Sequence, residues 1–218
     1  NYITQALESV HSQTFTDLEI IVIDDKSTDQ SLSTVTDWFE KRSNNFKRAL
    51  LLSNIDNFGL AASRNIGLEH ARGEFVFILD ADNEIYPRAI GCLLDACCTA
   101  GSDAAYSQIE IFGDVSDIGA ADIWSKERFK ISNYVDAMAL IRKSAIEAVG
   151  GYSFFHIPGW EDYDLWCNFI ETDRYGVYVP QILCRYRVHK SSMLRMETNV
   201  QSKALMSEFI LRHNWINW

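Results

Sequence analysis

The chain has no CxxC pair, no Cys/His spacing of the zinc type, and an odd count of five cysteines, at positions 92, 97, 98, 167 and 184. Those absences argue against a disulfide scaffold and a structural zinc, and for reduced, mostly buried thiols in a reducing, cytoplasmic setting. There is no long apolar run either. The most apolar stretch, FVFIL at 75–79, falls far short of the roughly 20 residues a membrane span needs, and no signal-peptide pattern opens the sequence. Peripheral attachment to a membrane would come from parts outside this stretch. Prolines number only three, and no Ser/Gly-rich linker or repeat divides the 218 residues, so one domain is expected. A basic block is missing as well: Lys+Arg 20 against Asp+Glu 30 gives −10, which makes a nucleic-acid groove or an anionic membrane surface a poor partner. With 47% hydrophobic residues the chain can bury a core and is not disordered. An acid-rich site that wants a metal fits this balance.

Strand-like and helix-like segments alternate through about the first hundred residues, the organisation of an α/β protein. Leu18–Ile23, Ala49–Leu52 and Phe75–Leu79 are nearly continuous in Val, Ile, Leu and Phe, as strands buried on both faces would be. Helix-length segments lie between them, at Ser31–Arg42 and Gly59–Ala71. Right-handed crossovers would make the three strands parallel, with their carboxyl ends and any ligand on one edge. A Gly/Asp/Ala-rich gap at Gly113–Ile123 precedes an apolar run at Ala137–Ile141, a helix at Ser144–Val149 and the pair Gly150-Gly151. The expected layout is one half over 1–113 and a second over 114–193, sharing one sheet, then a packing helix within 194–218, at Val200–His213. Tyr2–Gln13 is already helix-like, so a strand is expected before residue 1.

Acids stand at two strand ends. IVIDDKSTD puts Asp24 and Asp25 after the first strand, where a helix-capping turn with Thr28 or Asp29 is the plain alternative to ligand binding. FVFILDADNE puts Asp80 and Asp82 after the third; in an extended segment, residues two apart face the same way and would aim at one cation. Between them, Leu60, Arg64 and Leu68 share a helix stripe, so Arg64 must either pair with a sheet-end aspartate or meet an anionic ligand, with Asn57 as that helix's cap. In ILCRYRVH, alternation places Arg185, Arg187 and His189 on one face: either a metal-ligating imidazole with arginines for phosphate, or an edge strand with a polar face. GWEDYDLW crowds Glu161, Asp162 and Asp164 into the first turn of a helix. The helix dipole favours acids there, and a carboxylate beside Trp160 and Trp166 would also hold protons more tightly, as a general base requires.

Taken in order, LESVHSQTFTDLEIIVIDDKSTDQS, NFGLAASRNIGLEHARGEFVFILDADN, IRKSAIEAVGGY, GWEDYDLW and YRVHKSSM resemble the family-two glycosyltransferases of the GT-A fold, from Tyr2 to about Met193. That resemblance implies a Rossmann-like mixed sheet flanked by helices, and transfer of a sugar, with inversion, from a nucleoside diphosphate donor, a UDP-sugar, to the hydroxyl of a saccharide or glycoconjugate. It implies Asp25 on the base, Arg64 supporting the nucleotide, Asp80 toward the ribose, and Asp82 with His189 on manganese or magnesium. Asp162 would be the base and Glu161 a neighbouring acceptor-site contact.

The family's first strand is absent, so part of the nucleoside pocket is unassigned. The QxxRW motif of processive synthases is also missing, which favours adding one or a few sugars in bacterial-type surface polysaccharide or glycoconjugate synthesis. Two other readings are an inactive sugar-nucleotide-binding module of a larger multidomain protein and a haloacid dehalogenase-type phosphatase built on LDADN.

Overall fold

The computed structural model describes residues 2–190 and 202–216. The chain opens with α1 (Tyr2–His11), then builds a parallel βαβ unit from β1 (Glu19–Asp24), α2 (Ser31–Arg42) and β2 (Arg48–Ser53), with a 3₁₀ turn at Ser43–Asn45. The β-branched run of β1 sets its register, from Glu19 opposite Arg48 to Asp24 opposite Ser53. Leu7, Ile20, Val35 and Trp38 close this lobe's small core. Next comes α3 (Leu60–His70), which leans on β1.

A larger mixed sheet follows. Its members are β3 (Phe75–Phe77), β4 (Glu84–Ile85), β5 (Ala104–Gly113), β6 (Asp117–Ile118), β7 (Ala139–Arg142) and β8 (Gly176–Val188), in the order β3-β7-β5-β8-β4 with β6 on β5. Its helices are α4 (Ala89–Ala100), the short α5 (Lys126–Phe129) and α6 (Lys143–Ala148), α7 (Glu161–Glu171) and α8 (Ser202–Arg212). Two clusters of buried side chains sandwich the sheet, one around Trp166, Phe169, Phe129 and Ile146, the other around Leu93, Cys97, Leu140 and Leu183.

Several expectations are corrected. The first three strands do not form one parallel ladder: β3 pairs antiparallel with β7, Val76 opposite Ile141, because the buried strand Ala139–Arg142 supplies its hydrogen-bond partner. The run at 182–189 is no edge strand, since β8 lies between β5 and β4. β8 also starts earlier than the motif, and it skips register at Pro180–Gln181, where a residue without N–H cannot keep the ladder. Strands from both sides of position 113/114 meet in the larger sheet, where β3 and β5 bond to β7 and β8, while β1 and β2 pair in a separate two-stranded sheet and so do not share it. Residues 191–201 and 217–218 lie outside the described residues, and within the packing-helix segment α8 covers Ser202–Arg212.

Two glycines are needed for close approach. Gly113 has φ +102, and a Cβ there would stand 2.5 Å from the Val188 carbonyl oxygen; Gly151 has φ +81, and its Cβ would stand 2.7 Å from Asn65 Oδ1. Asn65 uses that amide to bridge α3 to the turn after α6, donating to the Tyr152 carbonyl and accepting from the Tyr152 N–H, each at 2.8 Å.

Candidate active site

At the end of β1, Asp25 accepts from Asn54 Nδ2 and from the Phe58 and Gly59 N–H groups, each at 2.8 Å. Those two donors belong to Gly59, the N-cap of α3, and to the residue before it, so Asp25 ties down the entry to the helix that carries Arg64; Asn57 is not its cap, and its side chain donates instead to the Asp25 carbonyl. Burial would raise the Asp25 carboxyl, but hydrogen bonds from Asn54, Phe58, Gly59 and Ser63 outweigh it and hold it below the usual range. Asp29, one residue before the Gln30 N-cap of α2, accepts from the Ser31 N–H at 2.8 Å and so satisfies a backbone donor at that helix start.

Asp80 and Asp82 do not lie on an extended segment. A turn closed by Asn83 N–H on the Asp80 carbonyl (3.1 Å) sends the two carboxylates to different partners. Asp80 Oδ1 receives Arg64 Nη2 at 2.9 Å, while Asp82 Oδ2 lies 2.9 Å from His189 Nε2. Arg64 is 8% exposed and lies over the Tyr152 ring, 5.2 Å from its centroid. Burial works against its charge, but Asp80, Tyr152 and Asp162 together keep the guanidinium protonated.

The two arginines of β8 are not open to phosphate. Arg185 pairs with Glu84 (2.7 Å) and Glu110 (3.1 Å), and Arg187 with Glu84; both lie against the Phe112 ring. A cation in a half-buried sheet needs such partners, and β4 and β5 supply them. Arg187 Nε also donates to the Asp82 carbonyl (2.8 Å) and its backbone N–H to Asn83 Oδ1 (2.8 Å), so it fixes the turn that carries Asp82.

On the opposite side, Gly159 (φ +116) and Trp160 (φ +68) turn the chain into α7 in left-handed conformations. Glu161, 4% exposed, folds back so that both its oxygens accept from the Gly159 N–H, at 3.0 and 3.1 Å. Asp162 is half-buried; its Oδ1 accepts from the Tyr163 N–H and its Oδ2 from Asn133 Nδ2, each at 2.9 Å. Burial pushes its carboxyl up to about 6, against the pull of Arg64. Asp164, by contrast, is fully buried and locked to Arg212 and His213 of the C-terminal segment.

Asp80, Asp82, Asp136 and Asp162 all lie within electrostatic reach of the Tyr186 phenol on β8, which burial and then their charges raise. Asp136 was not singled out in the sequence. Burial and the charge of Asp162 push its carboxyl up to about 7. The signal was there: a lone acid inside the apolar run that leads into β7. Among the described residues, no three His, Cys, Asp or Glu side chains converge on a metal-sized site. The Asp82–His189 pair still fits a hexacoordinate cation, because adjacent octahedral ligands at about 2.1 Å stand about 3.0 Å apart.

A curled mixed sheet, with sheet-end carboxylates meeting an arginine on one side and a helix N-terminus on the other, is the GT-A architecture. The chain superimposes on the Staphylococcus aureus TarS structure in complex with UDP-GlcNAc with TM-score 0.75 at 19% identity, covering 96% of this chain and 63% of that one. It also superimposes on the mannosyltransferase PcManGT from Pyrobaculum calidifontis, in complex with GDP-Man and Mn²⁺, with TM-score 0.70 at 18% identity, covering 97% and 59%. Residues 1–150 match the family described as glycosyl transferase family 2, and the chain belongs to that family. An uncharacterized glycosyltransferase of Haemophilus influenzae is 30% identical over 96% of this chain and 69% of its own length. The chain thus spans roughly two thirds of that relative and somewhat less of the solved structures. No helix among the described residues is long and apolar enough to cross a membrane.

Proposed function

We propose that this chain moves a hexosyl or related sugar, with inversion and one or a few at a time, from a UDP-sugar to a hydroxyl of a saccharide or glycoconjugate acceptor. The observation that carries the reading is the division of labour among the carboxylates: Asp80 is paired with the buried Arg64, Asp82 with His189, and Asp162, whose carboxyl burial pushes up to about 6, with neither. In-line displacement wants such a division, with a base for the acceptor and a separate set of groups for the leaving group.

Asp162 takes the proton from the acceptor oxygen, and its raised proton affinity suits it to do so near neutrality. Glu161 is a positioning residue, because its carboxylate is spent on the Gly159 turn that starts α7. Arg64 brings a fixed positive charge to the nucleotide side, and Asp80 faces the ribose. Asp25 is the residue we assign to the uracil base, its carboxylate already fixed in place by Asn54, Phe58, Gly59 and Ser63. Asp82 and His189 would hold a manganese or magnesium ion, which when bound neutralises the diphosphate and so overcomes the −10 charge of the chain. Support for a nucleotide-sugar donor comes from the UDP-GlcNAc and GDP-Man complexes of the structural neighbours. Surface-polysaccharide or glycoconjugate synthesis at the cytoplasmic face of a membrane is the setting we assign, beside whatever further domains accompany this one.

The test is calorimetric titration of UDP, with GDP as control, with and without manganese. Metal-dependent binding of UDP is expected. Failure of folded protein to bind either nucleotide would move the reading to an inactive module.

A further inference from the structure

We propose that Asn133, on the loop Ser132–Met138 that leads into β7, is the residue that orients the Asp162 carboxylate and keeps it in its proton-accepting form. This rests on the reading of Asp162 as the base. The Val135 N–H donates to Asn133 Oδ1 at 3.3 Å, which fixes the amide orientation and leaves Nδ2 to donate to Asp162 Oδ2 at 2.9 Å. The other oxygen, Oδ1, is tied to the Tyr163 N–H within α7. Each Asp162 oxygen therefore has one fixed donor, and the carboxylate plane cannot rotate away from the cleft without losing a charge-assisted hydrogen bond. Asn133 is the only one of the two donors that comes from outside α7, so it also joins the helix to the sheet at the point where chemistry is assigned.

Its role is sharpened by what surrounds Asp162. The charged and titratable groups facing it are Arg64 from α3, Asp80 from the turn after β3, Tyr152 from the turn after α6, Asp136 from the same loop as Asn133, Tyr186 from β8, and Glu161 and Cys167 of α7 itself. Only Arg64 among them favours the ionised carboxylate by charge, and its guanidinium is already engaged by Asp80. Against burial and three other acids, a neutral donor in contact with Oδ2 stabilises the anion without creating an ion pair that would blunt its basicity. Asn is suited to that: its N–H favours the carboxylate, while its carbonyl is occupied by Val135.

The experiment is a pH titration of carboxyl carbons by NMR on protein labelled with ¹³C-aspartate. The Asp162 signal is assigned by its loss in Asp162→Asn, and the reading needs neither donor nor acceptor. We compare wild type, Asn133→Ala and the isosteric Asn133→Asp. Asn133→Asp keeps the oxygen that Val135 needs but replaces the donor with a carboxylate. The Asp162 midpoint, about 6 in wild type, should rise by about one pH unit in Asn133→Ala and further in Asn133→Asp. If Asn133 merely shaped the loop, Asn133→Ala, which adds no charge, would leave the Asp162 midpoint at its wild-type value, and that result overturns the proposal. Failure of the underlying reading looks different: Asp162→Asn would release UDP from UDP-GlcNAc at the wild-type rate, whatever the midpoints do.

Discussion

At the scale of single residues, the site separates by what each carboxylate touches. Asp162 must be unprotonated to accept a proton, so with its carboxyl near 6 the rate should be flat above neutrality and fall as pH drops through about 6. A pH profile of UDP release checks this. In Asp162→Asn, transfer should fall by about 10²- to 10⁴-fold, the usual worth of a general base, while calorimetric UDP affinity stays unchanged. Asp82→Ala removes the oxygen 2.9 Å from His189 Nε2 and should abolish the manganese-dependent part of UDP binding. Equal affinity with and without metal in the wild type would remove Asp82 and His189 as ligands. The acids after β1 and β3 and at the start of α7 were legible in the sequence because they stand directly beside apolar runs. The partners of the arginines were not. Arg185 and Arg187 alternate with apolar residues as a phosphate-binding face would, yet Glu84 and Glu110 take them, and Glu84 sits on a two-residue strand too short to show a pattern. Asn133 was equally hidden, 29 residues from the Asp162 carboxylate to which it donates.

Elements carry the next level of control, and α7 is held from its far side. Asp164 is fully buried and accepts from Arg212 Nε (2.7 Å) and His213 Nε2 (2.9 Å), while His213 Nδ1 meets Glu171 Oε1 at 2.8 Å. Burial alone would raise the Asp164 carboxyl, but His213, Arg212 and Ser153 hold it below its usual value. Burial would lower the His213 imidazole, but Asp164 and Glu171 raise it. The stability due to Asp164 is therefore present above its unfolded value and lost as pH falls through the lower folded one. That due to His213 is present below its ordinary 6.5 and lost as pH rises through the higher folded one. Thermal melts should show Tm declining from neutral toward alkaline pH, and His213→Gln should remove that decline. Asp164→Ala leaves buried charge unpaired and should cost about 3–5 kcal/mol, read by urea unfolding. A second joint, between α3 and the turn after α6, depends on Gly151. Gly151→Ala should cost about 1–2 kcal/mol for its backbone alone and displace Asn65 as well, lowering Tm by several degrees. Elements with continuous branched runs, such as β1 and β2, or a clean stripe, such as α2, were legible in the sequence. α4 and β5 were not, because AIGCLLDACCTA is small-residue-rich with a weak polar face and AAYSQIEIFG mixes small, polar and apolar positions on both faces.

For the whole molecule, the distribution of core decides where it opens. The lobe of α1, β1, α2 and β2 closes over four buried side chains, Leu7, Ile20, Val35 and Trp38, whereas the mixed sheet is sandwiched between two much larger clusters. Local stability follows buried apolar area, so the first lobe should open at lower free energy than the second. Amide hydrogen exchange should therefore show Ile20–Ile23 exchanging well before Ala104–Tyr106 and Ala139–Ile141, each of which sits fully or almost fully buried in the β5–β7 ladder. The assigned nucleotide site draws on both lobes: Asp25, directly after β1, from one, Asp82 and His189 from the other. UDP with manganese at about 100 times its dissociation constant should add about 2.7 kcal/mol of protection to openings that destroy the site, and β1 together with Phe58 and Gly59 should gain most. If protection rose only around Asp82 and His189, the diphosphate side of the assignment would stand and Asp25 would be left with its structural task alone, holding the Phe58–Gly59 entry to α3.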